Sequence, residues 1–254
     1  MYSPLEQFKI KPLIVLNNNF MDITISNSTI YMIISIIGVI IIIKGAEEER
    51  VIKESYIINI LEIIYKKTEE IIKEILGKGY NRYIPIVNSI FIYILINNVI
   101  GLIPYTFTTT SHIIVTITMS LTIMIGLTML GIYKHSYKFL TLFIPKGLNK
   151  GFTRYLIPLI FLIELISYIS RIISLSVRLA ANIMSGHILL KIIANTSITA
   201  ITSINSKIIT ILVIILPVIL LCGLFILETG VAIIQAYVFT LLTITYIKDV
   251  ELLH

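Results

Sequence analysis

Charge is scarce in this chain. Only 13% of its 254 residues are charged, about half the share of an ordinary soluble domain. With 57% hydrophobic residues and a mean hydropathy of +0.97, a soluble globule could not cover its outside with polar groups. Cysteine is nearly absent too. Cys222 is the single one and sits in an apolar run, which excludes a disulfide framework. There is no glycine-rich phosphate cradle, no cysteine pair and no histidine spacing suited to zinc or haem. These absences argue against a nucleotide-hydrolysing or haem-carrying subunit, and no metal or cofactor is expected. No internal repeat is visible. Met1–Phe20 lacks a basic region followed by a short apolar core and a small-residue cleavage site, so it is not read as a secretory signal, and trimming of a short leader stays open.

What is present is apolar sequence in membrane-length blocks. Lipid removes the conflict that water would create, so the expectation is an all-α integral membrane protein forming a single membrane domain over residues 1–254. A first transmembrane helix is expected at 27–44, ended by Lys44 and the charged cluster Glu47–Arg50. Residues 51–76 differ in kind. Ile57, Ile60, Leu61, Ile64, Ile71, Ile72 and Ile75 recur at helical spacing, between Glu62, Lys66, Lys67, Glu69, Glu70, Lys73 and Glu74. That pattern predicts an amphipathic helix lying on the membrane surface.

A transmembrane hairpin follows at 83–103 and 112–133, linked by the uncharged Pro104–Ser111. After it come Lys134, Lys138, Lys146, Lys150 and Arg154, with no acidic residue before Glu164. Positive charge marks the untranslocated side, so this loop and the amphipathic helix are placed inside, and the Pro104–Ser111 link and the N-terminus outside. The net charge of +6 is therefore read as topology and not as a nucleic-acid surface. Residues 155–194 and 207–250 are each about twice the ~20 residues that span a bilayer. Pro158, Gly186, Pro217, Gly223 and Gly230 are their only strong breakers, and none sits in a polar turn. Two long, steeply tilted membrane helices joined by the polar Asn195–Ser206 are expected, with the C-terminus inside.

Ionisable groups within such helices are costly, so each is a functional candidate. Glu164, Arg171 and Arg178 are seven apart, which returns each to nearly the same helix face with a drift of ~20°. Asn182 and Ser185 extend this stripe. His187, nine residues after Arg178, falls about 180° away. In the last helix Glu228 and Gln235 are seven apart, and Asp249 follows two heptads later. Leu242 leaves a gap between them. Two stripes of this kind face each other or a shared aqueous cleft, because lipid makes either one expensive alone. His187 alone reads equally as a packed histidine or a relay. Glu228 reads as a relay or an inert buried acid, Asp249 as a path residue or a solvated terminal charge, and Glu164 with Arg171 as a structural ion pair.

These residues carry a family resemblance. Ser174-Leu-Ser-Val-Arg-Leu-Ala-Ala-Asn182, followed by Ser185-Gly-His187, resembles the a subunit (subunit 6) of F-type ATP synthases, in its mitochondrial form. Asn98–Tyr105, Ser111-His112, Gly131–His135, Ile163–Tyr168, Leu227-Glu228, Ile234–Tyr237 and Tyr246–Asp249 support it in order, and Ser3–Phe8 is similar to fungal versions.

The resemblance implies a subunit that is non-catalytic for ATP chemistry itself. It implies a stationary proton path of two offset half-channels against a rotating proteolipid ring, in the mitochondrial inner membrane. Arg178 would separate the half-channels, with Asn182 and Gln235 positioning it or nearby water. His187 and Glu228 would serve the intermembrane-space side, Glu164 and Asp249 the matrix side, and Arg171 would pair Glu164. Peripheral-stalk and other membrane-sector subunits, lipid and a second whole complex are the implied partners. The basic loop departs from the family after Pro145. Lys191, one turn from His187, either bears on its protonation or snorkels at the helix end. A self-contained channel or transporter explains intramembrane charge equally well, but repeated halves and broken helices are missing. A purely structural subunit leaves the heptad spacing unexplained.

Overall fold

The computed structural model describes residues 4–18, 21–48, 56–77, 80–103, 106–136, 157–203 and 207–251. The protein is an all-α integral membrane protein. Among the described residues six α-helices carry it: α1 (Asn27–Glu48), α2 (Tyr56–Leu76), α3 (Ile84–Leu102), α4 (Ile113–His135), α5 (Ile157–Ser203) and α6 (Lys207–Glu251). Four of them, α3 to α6, are long and apolar enough to cross a membrane, while the apolar part of α1, Asn27–Ile42, is shorter. Large apolar side chains stand on the outside, among them Ile41, Ile114, Ile219 and Ile226. In water such a surface would drive association, and lipid or neighbouring subunits must cover it.

The chain divides into two compact units. The first comprises Met1–Ile40, Tyr93–His112 and Leu179–Ala236, the second Ile41–Ile92, Ile113–Arg178 and Tyr237–His254.

The first unit opens with a 3-10 turn, Pro4–Phe8, and an antiparallel hairpin, β1 (Pro12–Asn18) with β2 (Met21–Ser26), irregular between Pro12 and Ile14. The sequence reading does not anticipate this hairpin. Leu13–Leu16 is a short apolar run, for which periodicity does not separate strand from helix. Asn27 ties it to α1. Its Oδ1 accepts from the backbone N–H of Lys11 (3.1 Å) and of Ser28 (3.0 Å), and its Nδ2 donates to the Lys9 carbonyl at 3.3 Å. One side chain therefore anchors both the incoming strand and an orphan helix N-terminal N–H.

The turn between α3 and α4 is a buried polar cluster. Thr108 donates to Ser111 Oγ at 2.9 Å, Thr109 to Asn97 Oδ1 at 3.0 Å, and Asn98 Nδ2 to the Ala232 carbonyl at 3.1 Å. His112 stacks on Phe107 at 5.2 Å, and burial pushes its pKa below the usual histidine value.

The second unit has its own core. Ile72 and Leu76 of α2 pack with Val87 of α3, Met124 and Leu127 of α4, and Ile244, Ile247 and Val250 of α6. The opposite face of α2 is solvated, with the pairs Lys66–Glu62 at 2.8 Å and Lys67–Glu70 at 3.1 Å. Part of the apolar stripe of α2 is thus buried against protein. Ile60 and Ile63, in its first half, are exposed. Gly77 ends the helix at φ 66°, its N–H bonded to the Lys73 carbonyl at 3.0 Å, the left-handed cap that glycine adopts without strain.

The polar stretch after Ala194 continues α5 as far as Ser203 and is not a link. Thr196 and Ser197 turn their hydroxyls back onto the carbonyls of Ile193 (2.9 Å) and Ala194 (2.7 Å), so their polarity is absorbed within the helix. Pro217 is likewise carried inside α6. Residues 51–55, the basic loop with Lys138, Pro145, Lys146, Lys150 and Arg154, the start of the long segment at Tyr155 and the link 204–206 lie outside the described residues.

Candidate functional site

In the first unit α5 and α6 place two polar pairs side by side along the chain. Asn182 Nδ2 donates to Gln235 Oε1 at 3.1 Å. One to two turns on, His187 Nε2 lies 3.6 Å from Glu228 Oε1, with side chains only 16% and 5% exposed. That separation is just beyond a hydrogen bond, and neither carboxylate oxygen has another hydrogen-bond partner among the described residues. The contact is possible because of Gly186. A Cβ there would stand 2.7 Å from Glu228 Oε1 and 2.9 Å from its carboxyl carbon. Small residues pack the same seam, with Ala180, Ala232 and Ala236 all buried.

His187 also lines a cavity of about 1000 Å3. Its walls are apolar where α5 and α6 supply Leu190, Ala194, Leu221 and Phe225. They are polar where the N-terminal segment supplies Glu6, Lys9 and Lys11. Lys191 lines this cavity too.

The second unit gathers the other charged residues. Arg171 stands between two acids, 3.5 Å from Glu164 Oε1 through Nη2 and 3.7 Å from Asp249 Oδ2 through Nη1. Its guanidinium carbon also lies 5.5 Å from the centre of the Tyr246 ring, a cation–π arrangement. These acids come from different helices, so Arg171 does more than pair Glu164, and Asp249 does more than end the chain. Arg178, on the same unit's stretch of α5, is exposed, and its guanidinium reaches Ser174 Oγ at 3.5 Å. It has no carboxylate partner among the described residues.

One cluster escapes sequence reasoning altogether. Glu251, at the end of α6, accepts from both the Tyr83 hydroxyl and the Lys134 ammonium. Burial first, then Glu251, pushes the Tyr83 hydroxyl up to about 12. Among the described residues no group of histidine, cysteine or carboxylate side chains is arranged to hold a metal ion.

The arrangement defines a class: a multi-pass membrane protein that keeps a buried, unsatisfied ionisable pair between two long helices, as proton- and ion-handling membrane subunits do. Residues 27–248 match the family of the ATP synthase A chain. The chain is 40% identical to ATP synthase subunit a of Trichophyton rubrum, over 99% of this chain and 97% of that one. It is 39% identical to the same subunit of Zancudomyces culisetae over the whole of both chains, and 36% identical to that of Candida glabrata over 99% and 96%. The chain belongs to the ATP synthase subunit a family.

Proposed function

We propose that the chain forms the stationary proton path of a rotary ATP synthase as two offset half-channels, with the charge of Arg178 between them. Family membership makes it a proton-translocating, membrane-sector subunit of a multi-pass kind, working with the proteolipid ring and other membrane-sector subunits. Its place is the inner membrane, a reading supported by its long apolar helices and its fungal ATP synthase subunit a relatives.

The observation that carries the finer reading is the His187–Glu228 pair, buried at 3.6 Å and opening onto a cavity of about 1000 Å3. A histidine and a carboxyl at that distance exchange a proton through a small ring or carboxyl movement or one water. The cavity brings water to the histidine. Protons entering there pass to Glu228 and on to a ring carboxylate. After rotation they leave by Glu164 and Asp249, whose fixed partner is Arg171.

Arg178 itself carries no proton, because a guanidinium is not deprotonated in proteins. Its exposed side chain, with no acid beside it among the described residues, attracts the deprotonated ring carboxylate. Proton-filled, neutral ring sites feel no such pull, and the ring moves on. Asn182 and Gln235, bonded to each other, hold the adjoining wall in one register.

Helices of 47 and 45 residues exceed the ~20 a bilayer needs, so α5 and α6 run at a steep tilt beside the ring. The N-terminus faces the intermembrane space and the C-terminus the matrix, with α2 at the matrix surface and its exposed Ile60 and Ile63 in lipid. Whole complexes pair as dimers in that membrane.

The test is proton-driven ATP synthesis in membranes carrying Arg178→Gln, with assembly verified. Synthesis is expected to vanish in the assembled complex. Near wild-type synthesis would remove Arg178 from the mechanism.

A further inference from the structure

We propose that Phe8 is a positioning residue for the proton step between His187 and Glu228; the inference rests on reading that pair as a relay. The histidine needs something to fix its ring. Rotation about its outer side-chain bond is broad and roughly two-fold, and at 3.6 Å the Glu228 carboxyl does not hold the ring by a hydrogen bond. One ring neighbour does so instead. The Phe8 ring meets it edge-to-face, with centroids 6.5 Å apart and planes at 71°, inside the range of favourable aromatic pairs.

Phe8 is not on a loose tail. The Pro4–Phe8 turn is closed by the Lys9 N–H on the Glu6 carbonyl at 3.2 Å. Asn27 then grips the next residues, through the Lys9 carbonyl at 3.3 Å and the Lys11 N–H at 3.1 Å. The clamp delivers Phe8 to the histidine and the polar side chains of the same segment to the cavity. Besides Glu228 of α6 at 3.6 Å, the charged and titratable groups that share His187's cavity among the described residues are Lys191 of its own helix, Cys222 of α6, Tyr31 of α1, and Glu6, Lys9 and Lys11 of the N-terminal segment. Of the segment's side chains, the one in ring contact with His187 is apolar. Phe8 therefore acts on orientation and not on charge.

The test uses inner membranes with the intact complex carrying Phe8→Leu or Phe8→Tyr. ATP synthesis per assembled complex is compared in H2O and D2O. Phe8→Leu keeps the bulk and loses the ring. It is expected to slow synthesis by about two- to tenfold and to raise the solvent isotope effect, because a misdirected imidazole makes proton transfer limiting. Phe8→Tyr, which keeps the ring, is expected to restore both. Wild-type rate and isotope effect in Phe8→Leu, or equal slowing by both variants, would overturn the proposal. Should Phe8→Leu fail to assemble, Phe8→Met is read the same way. His187→Gln is measured alongside: if it makes ATP normally, the relay reading falls and this inference with it. If His187→Gln is inactive while Phe8→Leu is silent, only the role of Phe8 fails.

Discussion

At the scale of single residues, the chemistry depends on what leaves room for the ionisable groups as much as on the groups themselves. Gly186 is the clearest case. Alanine adds a Cβ 2.7 Å from Glu228 Oε1, so the carboxyl must swing off its line to His187. Displacements of that order cost catalysis heavily. Gly186→Ala is expected to lower ATP synthesis by about tenfold or more in complexes assembled at normal levels, and an unchanged rate would show that the pair tolerates movement.

Arg171 gives the matching prediction for the other unit. Its two Nη atoms address Glu164 and Asp249 separately, and a lysine, being a point charge, cannot face both in that fork geometry. Arg171→Lys is expected to slow synthesis several-fold while keeping the net charge; wild-type turnover would mean that charge alone suffices there. The heptad stripe made Glu164, Arg171 and Arg178 legible from sequence, because seven residues bring a helix back to one face. The bridge to Asp249 was not legible, since Leu242 interrupts the stripe of α6 and no local rule pairs residues so far apart.

At the scale of elements, the helices were readable wherever apolar runs reached membrane length, and the errors fall where local polarity misleads. Asn195–Ser203 reads as a link, yet it is helix because its hydroxyls bond to carbonyls in the preceding turn. The N-terminal hairpin was hidden by its short apolar run. The hydrogen bonds of Glu251 to Tyr83 and Lys134 span 168 and 117 positions, a distance at which spacing carries no information.

That cluster fastens the end of α6 to the starting end of α3 and the far end of α4. Tyr83→Phe removes one bond of about 1 kcal/mol, so the last turn of α6 is expected to open about fivefold more often, as read by hydrogen exchange in the purified complex. Because burial and Glu251 raise the Tyr83 hydroxyl to about 12, its contribution is fully present below its unfolded value of about 10 and is lost only as pH rises through the folded value. The difference between wild type and Tyr83→Phe should therefore hold constant between about pH 7 and 9. A difference that fades within that window would mean that the hydroxyl ionises early and the contact is not the one described.

At the scale of the whole molecule, the division of the chain follows the division of labour proposed for it. The boundary in α5 falls between Arg178 and Leu179, and that in α6 between Ala236 and Tyr237. His187 and Glu228 thus belong to one compact unit, and Glu164, Arg171 and Asp249 to the other. If the two relays are the two halves of one path, they act in series, and a proton crosses only when both are intact. On that reading Arg178 has a second duty besides the pull proposed for it on the ring carboxylate, since its fixed positive charge disfavours any proton beside it.

Arg178→Ala should leave an assembled complex that makes no ATP and leaks protons when a gradient is applied. Adding Glu228→Gln should abolish that leak, because a series path is closed by cutting either half, and adding Asp249→Asn should close it equally. The readout is gradient decay in vesicles carrying the assembled double variants. A leak that survives Glu228→Gln but not Asp249→Asn would place proton entry elsewhere than His187 and its cavity. A leak indifferent to both would mean that the protons cross outside this chain's paired groups, and the series reading would fail as a whole.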